Sequence, residues 1–88
     1  MIEPRPRLIH VGNNNYVNAS RILTAFTLRT KSAQRALKAA AAAGLLIDFT
    51  AALPTKGVLL LDTGVMIRVP LRPMDIQRAL EQLDNPSQ

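Results

Sequence analysis

Cysteine and tryptophan are absent from this 88-residue chain, and histidine occurs once. Without cysteine there are no disulfides to brace a small fold and no thiolate metal site. Aromatic residues supply only 3% of the chain against 48% hydrophobic residues overall. The core must therefore be built from Leu, Ile, Val and Ala, each burying less surface than a Phe or Trp. A length of 88 residues leaves room for one domain, residues 1–88. A domain of that size buries only ~60–65% of its unfolded surface. Long apolar runs are missing as well. The longest, residues 39–47, contains Gly44 and is far shorter than the ~18 residues of a membrane span. Arg5 and Arg7 lead into Leu8, Ile9 and a polar turn rather than the apolar stretch of a secretory signal. These absences predict a cytoplasmic protein with no membrane partner. They also make self-association the simplest source of the missing stability.

The same thinness removes most catalytic machinery. His10, the lone histidine, lies in a short strand and reads as structural or surface. The six carboxylates fall into neither a metal-ligand nor a paired-acid spacing. Asp48, beside a loop, and Asp62, in a hairpin, read as turn and hydrogen-bonding residues. The chain has no P-loop, no Gly-x-Gly-x-x-Gly and no nucleophile elbow. No enzyme activity, cofactor, metal or small-molecule substrate is expected.

What is present is a run of short elements with clear punctuation. Residues 1–6, with two prolines, read as an extended arm, and residues 7–11 as a strand ending at Gly12-Asn13-Asn14-Asn15. That cluster tolerates left-handed backbone and marks a tight turn. Residues 21–28, rich in β-branched and large apolar side chains, predict a second strand. Thr30 or Ser32 can cap a helix running to Ala43, with Gly44 just past its end. On that helix Ala33, Ala36, Leu37 and Ala40 share one face, and Lys31, Arg35 and Lys38 the opposite one. Residues 45–49 read as a buried strand and residues 50–56 as a loop. Residues 58–61 and 65–69 predict an antiparallel hairpin around Asp62-Thr63-Gly64. Pro73 opens a second helix with Asp75 in its first turn and Ile76, Leu80 and Leu83 as its apolar stripe. Residues 84–88 read as a frayed tail. The fold class is α+β, a small and mostly antiparallel sheet with two helices.

Charge carries the functional signal. Eleven Lys and Arg against six Asp and Glu give a formal net charge of +5, which favours anionic partners, nucleic acid above all. Arg21 enters a strand from the Asn18-Ala19-Ser20 turn. From there it can reach a phosphate or a guanine edge, or equally pair with a nearby carboxylate. Lys31, Arg35 and Lys38 form a stripe that either follows a phosphate backbone or is simply a solvated helix face. Arg68, Arg72 and Arg78 are scattered and carry no binding signal, and turn geometry accounts for Asn13 to Asn15.

Three stretches together resemble the RemA-like family of small bacterial regulators of extracellular-matrix genes. They are Ile9-His10-Val11-Gly12-Asn13-Asn14-Asn15, Ser20-Arg21-Ile22, and Gly44-Leu45-Leu46-Ile47-Asp48-Phe49-Thr50. Val58-Leu59-Leu60-Leu61-Asp62 and the closing helix near Leu80 fit the same order, so the likeness runs from Leu8 to Leu80. The resemblance implies a LytTR-like fold and a ring-shaped homo-oligomer binding double-stranded DNA as a transcriptional or architectural regulator. It also implies that Arg21 is a DNA contact. Two further family arginines belong in the loop after the Asp-x-Thr element. This chain has Ala52-Leu53-Pro54 there, with only Lys56 basic nearby. The candidate DNA-binding residues are thus Arg21 from the resemblance, Lys56 beside the departing loop, and Lys31, Arg35 and Lys38 of the helix stripe. The departure leaves a second possibility, a RemA-like oligomeric scaffold that has lost tight DNA binding.

An aliphatic, aromatic-poor core of this size leads to one expected outcome. Light scattering coupled to gel filtration should give a mass several times the 9.6 kDa of one chain. A 9.6 kDa species at micromolar concentration would remove the ring.

Overall fold

A computed structural model of the chain describes residues 7–84, the last of these by its backbone. The arm expected over residues 1–6, and residues 85–88 of the expected tail, lie outside the described residues. β1 (Leu8–His10) and β2 (Tyr16–Asn18) form an antiparallel hairpin. Its turn has Gly12, Asn13 and Asn14 at φ of 101, 54 and 62°, the left-handed region that Gly and Asn tolerate. Gly12 is required for a second reason. A Cβ there would stand 2.6 Å from Cγ of Pro70.

The chain then makes a short 3-10 turn over Ala19–Arg21 before β3 (Ile22–Phe26). Arg21 therefore sits in a turn, not on the strand expected over residues 21–28. The local cause is Asn18, whose side-chain oxygen accepts from the Ser20 N–H at 3.1 Å and from its hydroxyl at 2.8 Å. Such a bond diverts the backbone from a ladder.

α1 (Lys31–Ala42) begins where expected, with the Thr30 hydroxyl accepting from the Ala33 N–H at 3.1 Å. It ends in Gly44 at φ 74°. There the Gly44 and Leu45 N–H groups donate to Ala41 and Ala40 at 3.1 and 2.8 Å, satisfying carbonyls that a helix end leaves open. Ala40 is buried, Ala33, Ala36 and Leu37 are half-buried, and Lys31, Arg35 and Lys38 are exposed.

β4 (Leu46–Asp48), β5 (Gly57–Leu61) and β6 (Met66–Val69) complete a four-stranded sheet in the order β3-β5-β6-β4. Only the β4–β6 pair is parallel. The expectation of a buried strand over residues 45–49 is corrected here. β4 is an edge strand, with Ile47 41% exposed and Asp48 exposed. A short apolar run does not say how many neighbours a strand has. Leu61 accepts from the Gly64 N–H at 3.0 Å and donates to Val65 at 2.9 Å. With Gly64 at φ 92°, this is the expected tight hairpin. α2 (Pro73–Asp84) starts at Pro73, and the Asp75 carboxylate accepts from the Arg72 N–H at 3.2 Å.

The core lies on one side of the sheet. Register aligns Ala25, Leu59, Ile67 and Ile47 on one face. Leu59, Ile67 and Val69 are packed there with Ile9, Val11 and Val17 of the hairpin and Ile76 of α2. Every member of that cluster is aliphatic. On the other face Ala33 and Ala36 of α1 border an open gap with Phe26, Leu60 and Met66.

Two loops test the backbone argument in opposite directions. Ala51 and Ala52 hold φ of 48 and 76°, a conformation costing a residue with a Cβ about 1–2 kcal/mol. Ala52→Gly should therefore raise stability to urea by about 0.5–1 kcal/mol. Gly12→Ala, strained and overlapping Pro70, should lower it by about 2 kcal/mol or more. Equal responses would contradict both assignments.

Candidate nucleic-acid interface

Arg21 is fixed at its backbone and open at its tip. Its carbonyl accepts from the Asp62 N–H at 2.8 Å, tying the 3-10 turn to the β5–β6 hairpin. Its Nη1 donates to the Asp62 carboxylate at 3.1 Å, with the two side chains 59% and 37% exposed. The carboxylate pairing allowed by the sequence is thus present. An exposed pair is worth about 1 kcal/mol or less, so it orients Arg21 without locking it. A guanidinium has five N–H donors, and most remain free for a phosphate.

Lys56 is exposed, and its N–H donates to Val69 at 3.0 Å. That bond places it at the Gly57–Val69 end of the sheet. Arg21 lies at the other end, beside the Ile22–Leu61 pair. The length of β5, ~17 Å at strand rise, separates the two within one chain. α1 spans the same interval. It starts just after Phe26, which faces Val58, and its exit residue Leu45 accepts from the Met66 N–H at 2.8 Å. The exposed stripe of Lys31, Arg35 and Lys38 therefore runs from the Lys56 end toward the Arg21 end.

The loop between β4 and β5 is held by a polar knot. Asp48 accepts from the Thr50 N–H at 2.8 Å and from its hydroxyl. Nη1 of Arg68 lies 3.6 Å from Asp48, and its Nε donates to Thr55 Oγ1 at 2.9 Å. Asn13 donates from the β1–β2 turn to the Phe49 and Thr50 carbonyls at 3.0 and 2.9 Å. Beyond the turn it already explained, Asn13 thus braces this loop. Arg68 is likewise a structural anchor. Leu53 stands 50% exposed at the tip. His10 is exposed, with its ring 5.3 Å from that of Tyr16.

Sequence reasoning missed that Lys56 shares a groove with Arg29 and Arg72. The available signal was positional, since Arg29 and Arg72 each stand immediately before a helix start or its cap.

Comparison with known proteins adds two findings. Residues 8–80 match the family described as RemA-like, extracellular matrix regulatory protein A-like. The chain is also similar to a protein of Leptospira biflexa serovar Patoc that carries a regulatory-protein name. The two are 33% identical over 78 residues, covering 89% of this chain and 83% of the relative.

The knot makes a measurable electrostatic claim. The Thr50 hydroxyl, then its N–H, and more weakly the charge of Arg68, hold the Asp48 carboxyl below its usual value of 3.8. A lowered folded-state pKa stabilises the fold at neutral pH, and that contribution is lost as pH falls through the lowered value. Carboxyl carbon NMR titration should find Asp48 below 3.8, and Thr50→Val should move it up toward 3.8. An unchanged titration in Thr50→Val would show that the hydroxyl is not the cause.

Proposed function

This chain belongs to the RemA-like family, and we propose that it is a DNA-binding transcriptional or architectural regulator acting as a ring-shaped homo-oligomer. The observation that carries the reading is Arg21, fixed at its backbone by Asp62 and exposed at its guanidinium. The resemblance assigns a DNA contact to this position. The regulatory name of the Leptospira relative points the same way. Lys31, Arg35, Lys38 and Lys56 add exposed positive charge along the ~18 Å of α1 and at the far end of the sheet.

Self-association is supported by the sheet's edges. β3 and β4 are the outer strands, with Leu23 66% and Ile47 41% exposed. Unlike edges that pair head to tail repeat the same contact and close into a ring when the rotation permits. A ring would also repeat Arg21 around one rim, so the ~17 Å to Lys56 could be bridged by neighbouring subunits.

A second reading, an oligomeric scaffold without tight DNA binding, is favoured by the loop beyond Thr50. Leu53 presents apolar surface there, which offers a phosphate nothing and fits a protein contact instead.

Duplex titration separates the two. DNA binding should weaken with salt, log K falling against log salt at about −0.9 per phosphate neutralised. Arg21→Ala should weaken it at least about tenfold, roughly 1.4 kcal/mol, while lowering fold stability by about 1 kcal/mol or less. Affinity unchanged in Arg21→Ala would end the role given to that residue. No duplex binding at low salt by an assembled protein would leave the scaffold.

A further inference from the structure

A groove of about 620 Å³ opens where the end of β3, the approach to β5 and the start of α2 meet, within the size range of small-molecule sites. Arg29, Lys56 and Arg72, each from a different segment, line it. Gly57 lets two of those segments meet. A Cβ there would stand 2.5 Å from the Leu71 carbonyl oxygen, so only glycine lets the backbone next to Lys56 lie against the backbone next to Arg72. Among the described residues no carboxylate lines the groove, and the side chains of Arg29 and Lys56 make no hydrogen bond or ion pair. Nε of Arg72 is 3.8 Å from Asp75, beyond hydrogen-bond length, so a closer anion can take it. Three cations with one loosely placed counter-charge, Asp75 beside Arg72, repel one another, and a bound anion relieves that cost. The wall also has an apolar part, Leu28, Pro73 and Met74, with Met74 54% exposed. A bare inorganic anion would leave that part wet.

We propose that this groove binds a small phosphorylated ligand of the nucleotide class. Its phosphates lie on Arg29, Lys56 and Arg72, and its base lies on Leu28 and Met74. Guanidinium groups match phosphate oxygens bidentately, and a thioether gives a favourable contact to an aromatic ring. The inference goes beyond the DNA reading and does not rest on it, because binding is measured with no DNA present.

Calorimetric titration of the full-length protein at about 0.15 M salt, where long-range attraction is screened, tests it with two probes, ADP and inorganic pyrophosphate. ADP should bind saturably and more tightly than pyrophosphate. Arg29→Gln with Lys56→Gln should weaken both at least about tenfold. Met74→Ser should weaken ADP alone, and its exposed position keeps this arm available if the double variant fails to fold. Lys31→Gln, Arg35→Gln and Lys38→Gln together should change neither. The proposal is overturned if ADP gives no saturable heat or binds no better than pyrophosphate. It is equally overturned if the α1 triple variant weakens ADP as much as the groove variant. If a short duplex needs Arg29 and Lys56 while ADP does not bind, the groove belongs to the nucleic-acid surface instead.

Discussion

Burial of Val58 and Leu59, both at 0% exposure and on opposite faces of β5, is the constraint that positions everything else. β5 is hydrogen-bonded to β3 on one side and β6 on the other, so neither face nor edge can shift without exposing aliphatic surface. Each such side chain contributes about 1.5–3 kcal/mol on burial. The exposed Arg21–Asp62 pair contributes about 1 kcal/mol or less. Hydrophobic packing therefore decides where the cations stand, and the ion pair only aims one of them. At one end of β5 the chain turns through Asp62 and holds Arg21. At the other, Gly57 sets Lys56 against the start of α2.

The packing is lopsided. The aliphatic cluster fills one face of the sheet, while α1 covers the other with alanines and leaves a gap beside Leu60 and Met66. Small side chains permit close approach but bury little area, so α1 draws modest stability from the sheet. Its exposed cationic face is held in place chiefly by its caps at Thr30 and Gly44 and by the passage of Leu45 into β4. Among the described residues the outer strands β3 and β4 leave Leu23 and Ile47 largely exposed, which is the physical ground for the proposed assembly.

Much of the local structure was legible because local chemistry decides it. Thr30, Gly44, Gly12-Asn13-Asn14, Asp62-Thr63-Gly64 and Pro73 each do what their side chains or backbone freedom dictate, and helix boundaries followed closely. What depends on distant partners was hidden. The parallel pairing of β4 with β6, its exposed edge and the Asp48–Thr50–Arg68 knot all require knowledge of what comes alongside, whereas the 3-10 turn at Arg21 follows from the local bond of Asn18 to Ser20. Residue types identified Arg21 and the α1 stripe as candidates, and the family resemblance supported Arg21 and drew attention to Lys56. Their separation by the length of β5, and the meeting of Lys56 with Arg29 and Arg72, follow only from strand order and from the close approach at Gly57.

In the proposed DNA-binding reading, Asp62 aims Arg21 at the phosphate backbone. A double-mutant cycle between these residues, read as duplex affinity, tests it most directly. Asp62→Asn keeps the backbone N–H bond to Arg21 and removes the carboxylate that orients its guanidinium. It should therefore weaken DNA binding in the parent and have little effect once Arg21→Ala is present, a coupling of about 0.5 kcal/mol or more. An Asp62→Asn effect of the same size in both backgrounds would mean that only bulk charge is felt, and that Asp62 does not aim Arg21.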